Sequence, residues 1–550
     1  MNNKLIKKIS LVSASALVAV GLVSIPVAAH ASAPVCQTAN YVESCGGVTS
    51  DGAKYATMVP ANFNGTVYLY SHGYRYAIDA PALGYKVATI INNPVPAPLP
   101  NNDPTDTTVI KYLLSQGYGI AGSAYSIEGW NADAAIATDK ELIDTFKTKY
   151  PNTKKVIAWG ESLGGFITQA LAEKYPTLVS AAGLACPALG TVEAELNVAG
   201  DFLWGMHTFF DSSIKGHNYS AGAAGEAEAQ ADISKILGAA AEIKASLTTN
   251  VWPHNSGAAG TALAAIPPRS ALLLVGLMAG IPTKSAHFDG TTGPGAKNSA
   301  AYTSFALAAS PALAVLENGA QSAILGVLAT LDLERQTGGA FYDNSKTDYA
   351  SRLDSDLTTY NAALSGNTAI AGMLAFLNPA NPAAPRWTAT AGAQTKLRAL
   401  VQNSGQINVP TVTLTATSDP AVPAGNTQWL ANKYVAQWAA AKAKAQAAAV
   451  TSGSYVASKQ MFLPIWNVAP TSYTKFDGSG APDTSGPAAT GTNHCNFTAK
   501  QWMGLADILA KASTDGNVQP TSALRALARK AGGVVDSRLQ APLLPFYGNN

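Results

Sequence analysis

The stretch Lys154-Lys155-Val156-Ile157-Ala158-Trp159-Gly160-Glu161-Ser162-Leu163-Gly164-Gly165 decides how the rest of the chain is read. Its first half has β-branched and aromatic character and predicts a strand. Phe166-Ile167-Thr168-Gln169-Ala170-Leu171-Ala172-Glu173-Lys174-Tyr175 follows and predicts a helix. Between them, Gly160 to Gly164 reads Gly-x-Ser-x-Gly, the pattern of a nucleophile elbow. So tight a turn leaves no room for side chains on either side of the serine, and Gly160 and Gly164 meet that demand. The Ser162 hydroxyl would stand at the tip of a sheet. The Leu163 backbone N–H would lie at a helix start, where developing negative charge is stabilised. Five residues alone are a weak signal in a chain with 48 glycines; the flanking strand and helix give them weight.

A serine hydroxyl needs a base to take its proton. Of seven histidines, His494 lies in Gly491-Thr492-Asn493-His494-Cys495-Asn496-Phe497-Thr498, a loop before a helix predicted over 500–511. His207, His217, His254 and His287 fall in a helical middle region, and His72 follows an early strand. The base in turn needs an acid to fix its tautomer. The predicted strand Thr411-Val412-Thr413-Leu414-Thr415-Ala416 runs into Thr417-Ser418-Asp419-Pro420-Ala421-Val422-Pro423. Asp419 thus sits at a strand's carboxyl end, where sites of open α/β sheets are built. Asp477 and Asp483 are reserve acids. The bland alternatives are a structural histidine and an Asx-turn aspartate. For the oxyanion, a strand over 66–70 leads into Ser71-His72-Gly73-Tyr74, so the backbone N–H groups of Tyr74 and Leu163 are the candidate donors.

Strand-like runs fall at 55–59, 66–70, 119–124, 155–159, 179–184, 411–416 and 460–466, several nearly continuous in apolar residues. Helical patterns at 107–116 and 132–149 alternate with them, which predicts a parallel α/β sheet. After Cys186 the alternation stops. Residues 191–400 are alanine-rich, with helices predicted at 221–247, 270–279, 299–308, 311–336 and 354–363. They read as an inserted helical cap, with the core split into 32–190 and 401–550. The apolar run Ala271 to Ile281 is too short to span a membrane. It reads as a buried helix or, alternatively, as a wall of a hydrophobic cleft or a docking patch.

The chain resembles the secreted bacterial α/β-hydrolases of esterase and lipase type. The resemblance rests on Tyr70-Ser71-His72-Gly73-Tyr74, on Ala124-Tyr125-Ser126-x-x-Gly129-Trp130, on the Ser162 elbow, on Thr417-x-Asp419-Pro420-x-Val422-Pro423 and on His494-Cys495-x-Phe497. It covers roughly residues 50–190 and 405–515. It implies the α/β-hydrolase fold, a mostly parallel sheet flanked by helices with a large inserted helical cap. In such a family Ser162, Asp419 and His494 would form the triad, in the chain order of that fold and not of the two protease orders. No metal or organic cofactor is implied.

At the N-terminus, Lys4, Lys7 and Lys8 precede an apolar run from Leu11 to Ala29 and an Ala29-His30-Ala31 cleavage pattern. This predicts a signal peptide over 1–31 and export to the extracellular space or periplasm. The charged fraction is 13% and the net charge +2, with no basic stripe, so nucleic acid is not an expected partner. No membrane span is expected after cleavage, and oligomeric state is not legible. Cys36, Cys45, Cys186 and Cys495 are an even set in an exported chain. Three pairings are possible. The reading taken has Cys36–Cys45 closing a small N-terminal loop and Cys186–Cys495 pinning the histidine loop, against buried free thiols. The leading expectation is hydrolysis of hydrophobic carboxylic esters. The rivals are an exopeptidase, an acyltransferase and a non-enzymatic binding protein on the same scaffold.

Overall fold

The computed structural model describes residues 32–81, 85–90, 92–247, 249–291, 309–475, 477–478 and 482–544. The expected leader over 1–31 and the helix expected over 299–308 lie outside the described residues.

Among the described residues nine strands form one sheet: β1 (Ser32–Ala39), β2 (Val42–Val48), β3 (Lys54–Pro60), β4 (Thr66–Ser71), β5 (Gly119–Ser123), β6 (Lys155–Glu161), β7 (Ala181–Ala185), β8 (Thr411–Ala416) and β9 (Phe462–Asn467). Their order is β1-β2-β3-β5-β4-β6-β7-β8-β9. Every pairing from β5 to β9 is parallel, and β1, β2 and β3 extend the sheet antiparallel. β5, β7 and β8 are buried along their whole length, as expected of parallel strands covered on both faces. The register sets Ser71 beside Gly160 and Glu161 beside Ala185, so the carboxyl ends of β4, β6 and β7 lie abreast.

The N-terminal cysteines sit on a hairpin and not in a loop. Asn40 and Tyr41 both take left-handed φ, 48° and 63°, as a two-residue hairpin turn requires. Cys36 lies opposite Cys45 in register, and the two are disulfide-bonded.

Helices cover both faces. On one, the helices Thr108–Ser115 and Ala499–Asp515 pack against Tyr68, Trp159 and Val412, with Trp159 and Trp502 edge to face at 5.6 Å. On the other lie Ala132–Lys149 and Leu163–Lys174. Between β7 and β8 the chain leaves the sheet for a run of helices: Val192–Phe209, Gly222–Ala245, Pro268–Ala279, Ser310–Thr337, Asn367–Phe376 and Ala393–Ala399, with shorter turns among them. The helix expected over 354–363 ends at Thr359. Pro268–Ala279 is buried over Ala271 to Val275, so its apolar run is internal and not a surface patch. Ser310–Thr337 is long and apolar enough to cross a membrane by length and composition, yet 72% of its most apolar window is buried within the protein.

Candidate active site

The elbow is built by backbone contacts that leave no choice at the flanking glycines. A Cβ on Gly164 would overlap the Ser71 carbonyl, and one on Gly160 would meet the backbone of Gly164 and Ser71. Ser162 takes φ 56°, ψ −124°, a region L-residues rarely occupy. It is held there from both sides: its N–H donates to the Ala185 carbonyl at 3.0 Å, and its own carbonyl accepts from Gly165 at 2.9 Å. The helix Leu163–Lys174 starts at the next residue.

Strand ends bring the other two candidates to the serine. Asp419 follows β8 and is fully buried. One of its oxygens accepts the backbone N–H groups of Ala421 and Val422, both at 2.9 Å. The same carboxylate faces His494 Nδ1 at 2.9 and 3.0 Å. His494 Nε2 lies 2.9 Å from Ser162 Oγ. With Nδ1–H donating to Asp419, Nε2 is left to accept the serine proton. The histidine loop is tied to the acid loop by the Ser418 N–H on the Gly491 carbonyl, 3.0 Å, and ends in a capping box between Thr498 and Gln501. Of the reserve acids, Asp477 is exposed and Asp483 is half-buried, accepting the Ser485 N–H at 2.9 Å; the carboxylate that faces His494 is that of Asp419.

Burial alone would push the His494 imidazole down. The charge and hydrogen bond of Asp419, with the charge of Glu161, outweigh it and leave His494 above its ordinary value. Glu161 is itself raised by burial, against a hydrogen bond to Tyr70 and the charge of His494.

The loop after β4 passes over the elbow. A Cβ on Gly73 would lie 3.2 Å from the Ser162 Cβ, so the backbone at Gly73 runs against Ser162. His72 points away, its Nδ1 2.7 Å from the Gly73 carbonyl and its ring 4.7 Å from Tyr125. Burial holds it at about 3, a neutral spacer. Beneath the loop, Asp139 accepts from the Ser71 hydroxyl at 2.9 Å and the Tyr125 hydroxyl at 3.2 Å. The sequence singled out neither Asp139 nor Glu161.

Cys186 follows β7, and Cys495 adjoins His494. The two are bonded, with Cα atoms 5.4 Å apart. Both have left-handed φ, 37° and 49°, as does Asn493 at 62°. Backbone strain is thus concentrated around Ser162 and His494. Cys186, Asp419, His494 and Cys495 lie close enough to suggest metal ligands. Both thiols are consumed by their mutual bond, and the other two side chains pair with each other.

The remaining histidines among the described residues have other partners: His207 the Ile214 carbonyl, His217 the Trp387 ring, His254 Glu242 and His287 Glu317. Trp204 stacks on Tyr349, and Phe209 and Phe210 pack with Phe376 and Trp252 inside the helical region.

A serine elbow after a central parallel strand, with acid and histidine loops after later strands, has a name. This is the α/β-hydrolase fold. A family model described as alpha/beta hydrolase fold matches residues 118–218, spanning β5 to the start of the helical stretch. The chain is similar to the crystal structure of an esterase from Aspergillus oryzae at 11% identity and TM-score 0.32, covering 77% of this chain and 71% of that one. It is also similar to a rice cell wall degrading esterase from Xanthomonas oryzae at 13% identity and TM-score 0.27, covering 72% and 80%. No curated protein matches the chain.

Proposed function

We propose that the chain is an exported serine hydrolase that cleaves carboxylic esters through Ser162, His494 and Asp419. The observation that carries this reading is the continuous hydrogen-bonded path from Ser162 Oγ through both ring nitrogens of His494 to buried Asp419. His494 Nε2 takes the Ser162 proton as Oγ attacks the ester carbonyl. The imidazolium formed is stabilised by Asp419, and the oxyanion by the backbone N–H groups of Leu163 and Tyr74. His494 then protonates the leaving alcohol, and water repeats the sequence on the acyl-enzyme. Residues 1–31 act as the signal peptide. Residues 191–400 act as a cap that covers the site and selects an apolar acyl group.

A carbonyl bonded to oxygen is favoured over a peptide because Glu193, Glu195, Glu226, Glu228 and Glu242, the helical-region acids that could hold a peptide amine, already have partners. Glu193 pairs with Arg398, Glu226 with Arg335, Glu228 with Lys215 and Glu242 with His254. Glu195 accepts the Leu189 N–H and the Asn426 amide. The test is labelling by a fluorophosphonate beside p-nitrophenol release from short and long acyl esters, wild type against Ser162→Ala. Wild type is expected to label and turn over, and Ser162→Ala to lose at least about a thousandfold. Labelling with every ester spared would favour the peptidase or acyltransferase, and neither labelling nor turnover a binding protein.

A further inference from the structure

The helix Ser310–Thr337 lies between β7 and β8 in the chain, yet it touches both sides of the site. The Ser322 hydroxyl donates to the carbonyl of Pro420, next to Asp419, at 2.6 Å. Ten residues further on, at 1.5 Å rise per residue about 15 Å along the axis, Asp332 reaches the opposite side. One oxygen of its carboxyl accepts the Tyr74 hydroxyl at 3.1 Å and the Trp130 backbone N–H at 2.7 Å. Its other oxygen accepts the Gln336 amide at 3.1 Å, and that amide also donates to the Trp130 carbonyl at 3.1 Å. Gly129, at φ 84°, admits this approach, because a Cβ there would fall on the Asp332 carboxyl. The Gly129-Trp130 turn of the chain's Tyr-Ser-x-x-Gly-Trp motif is therefore the receptor for a carboxyl supplied from some 200 residues away.

A buried carboxyl is costly unless donors surround it. Asp332 is 8% exposed and has three donors, one of them Tyr74. Burial pushes its carboxyl up, and these donors oppose the shift. In the ester-hydrolase reading Tyr74 supplies one of the two oxyanion N–H groups, and its side-chain hydroxyl is held by the Asp332 carboxyl. We propose that Asp332 is a positioning residue: through the Tyr74 hydroxyl and the Trp130 N–H it fixes the Gly73–Tyr74 backbone over Ser162, so that the oxyanion donor is in place before substrate binds. The inference rests on the ester-hydrolase reading of the site. A donor displaced from the oxyanion lowers kcat and leaves KM nearly alone, because the contact strengthens only in the transition state. A mere strut would change stability and not kcat per folded molecule.

The test uses the full mature chain with Tyr74→Phe, Asp332→Asn and both together. Active sites are counted by phosphonate titration, kcat and KM are taken on p-nitrophenyl butyrate, Tm is recorded, and amide hydrogen exchange is followed over residues 72–76. Tyr74→Phe keeps the ring and the packing and guards against loss of folding. It is expected to lower kcat about tenfold, with KM within about twofold and faster exchange over 72–76. Asp332→Asn should lose as much or more, and the double variant no more than the worse single, since both cut the same tether. Wild-type kcat and exchange in both single variants, with only Tm lowered, overturn the proposal and leave the ester reading standing. A wild type inert to phosphonate and ester alike overturns the reading itself, and this proposal with it.

Discussion

His494 is poised between opposing influences: burial lowers its proton affinity, while Asp419 and then Glu161 raise it, and the raising side wins. A base works only when unprotonated, so the acid limb of kcat/KM should have its midpoint above the ordinary histidine value of 6.5 and rise with pH through it. Glu161→Gln removes one of the charges that hold the proton, and is expected to move that limb to lower pH in a pH–rate profile. An unmoved limb would remove Glu161 from the account. Asp419→Asn leaves the volume and reverses the tautomer preference; kcat should fall about ten-thousandfold with Tm little changed. At this scale the sequence was informative where a residue carries a local mark. Ser162 has its glycines, Asp419 its strand end, and His494 its loop before a capped helix. Asp332 carries none. In Leu331-Asp332-Leu333-Glu334 it reads as one acid on a helix, and only the Gly129-Trp130 turn packed against it shows what it holds. Asp139 is hidden in the same way, its partners lying at the ends of two strands that the sequence cannot bring together.

Among elements, the buried parallel strands were legible because each is a short, nearly unbroken apolar run. β1 and β2 were not. They form an edge hairpin, β1 mostly exposed and β2 half-buried, with Gly46 and Gly47 where a strand pattern needs branched residues. The helix Val192–Phe209 escaped for a different reason: Gly200 and Gly205 lower the helical propensity of its interior. In the fold they are points of close approach, where a Cβ would strike the Tyr342 ring and the Val275 side chain. The two disulfides should behave differently because of the elements they join. Cys36–Cys45 closes a hairpin over a separation of 9 residues, whereas Cys186–Cys495 links the end of β7 to the histidine loop over 309. Cross-linking stabilises more as the closed loop lengthens, up to about 5 kcal/mol. Cys186→Ser with Cys495→Ser should therefore lower Tm the more, and should also lower kcat about tenfold or more by releasing the left-handed backbone beside His494. Cys36→Ser with Cys45→Ser should spare kcat. Full activity of the Cys186/Cys495 double variant at a temperature where it remains folded would show that the bridge does not position the base.

Over the whole molecule, buried ionisable groups set how stability depends on pH. Burial pushes Glu128, Asp139 and Glu334 each up to about 7. In the unfolded chain such carboxyls ionise near 4. Between about 4 and 7 the folded protein therefore holds more protons than the unfolded chain, and these groups cost stability as pH rises. Buried His72 and His217 act in the opposite direction. Burial holds them at about 3 and about 4, and their unfolded counterparts give up protons near 6.5. They add stability as pH rises to about 6.5 and nothing beyond. His494, whose proton affinity is raised in the fold, contributes stability that is fully present below about 6.5 and is lost as pH rises through its folded value. The slopes thus oppose one another below about 6.5, and above it only losses remain. Tm measured by calorimetry should be higher near pH 6 than near pH 8. Asp139→Asn still offers an oxygen to the Ser71 and Tyr125 hydroxyls and has no proton to lose, so it should flatten the alkaline fall. A Tm that climbs through pH 8 in the wild type, or a fall that Asp139→Asn leaves unchanged, would mean that Asp139 ionises in the folded protein as easily as in water. Its site beneath the Gly73–Tyr74 loop would then have to be wetter than its burial implies.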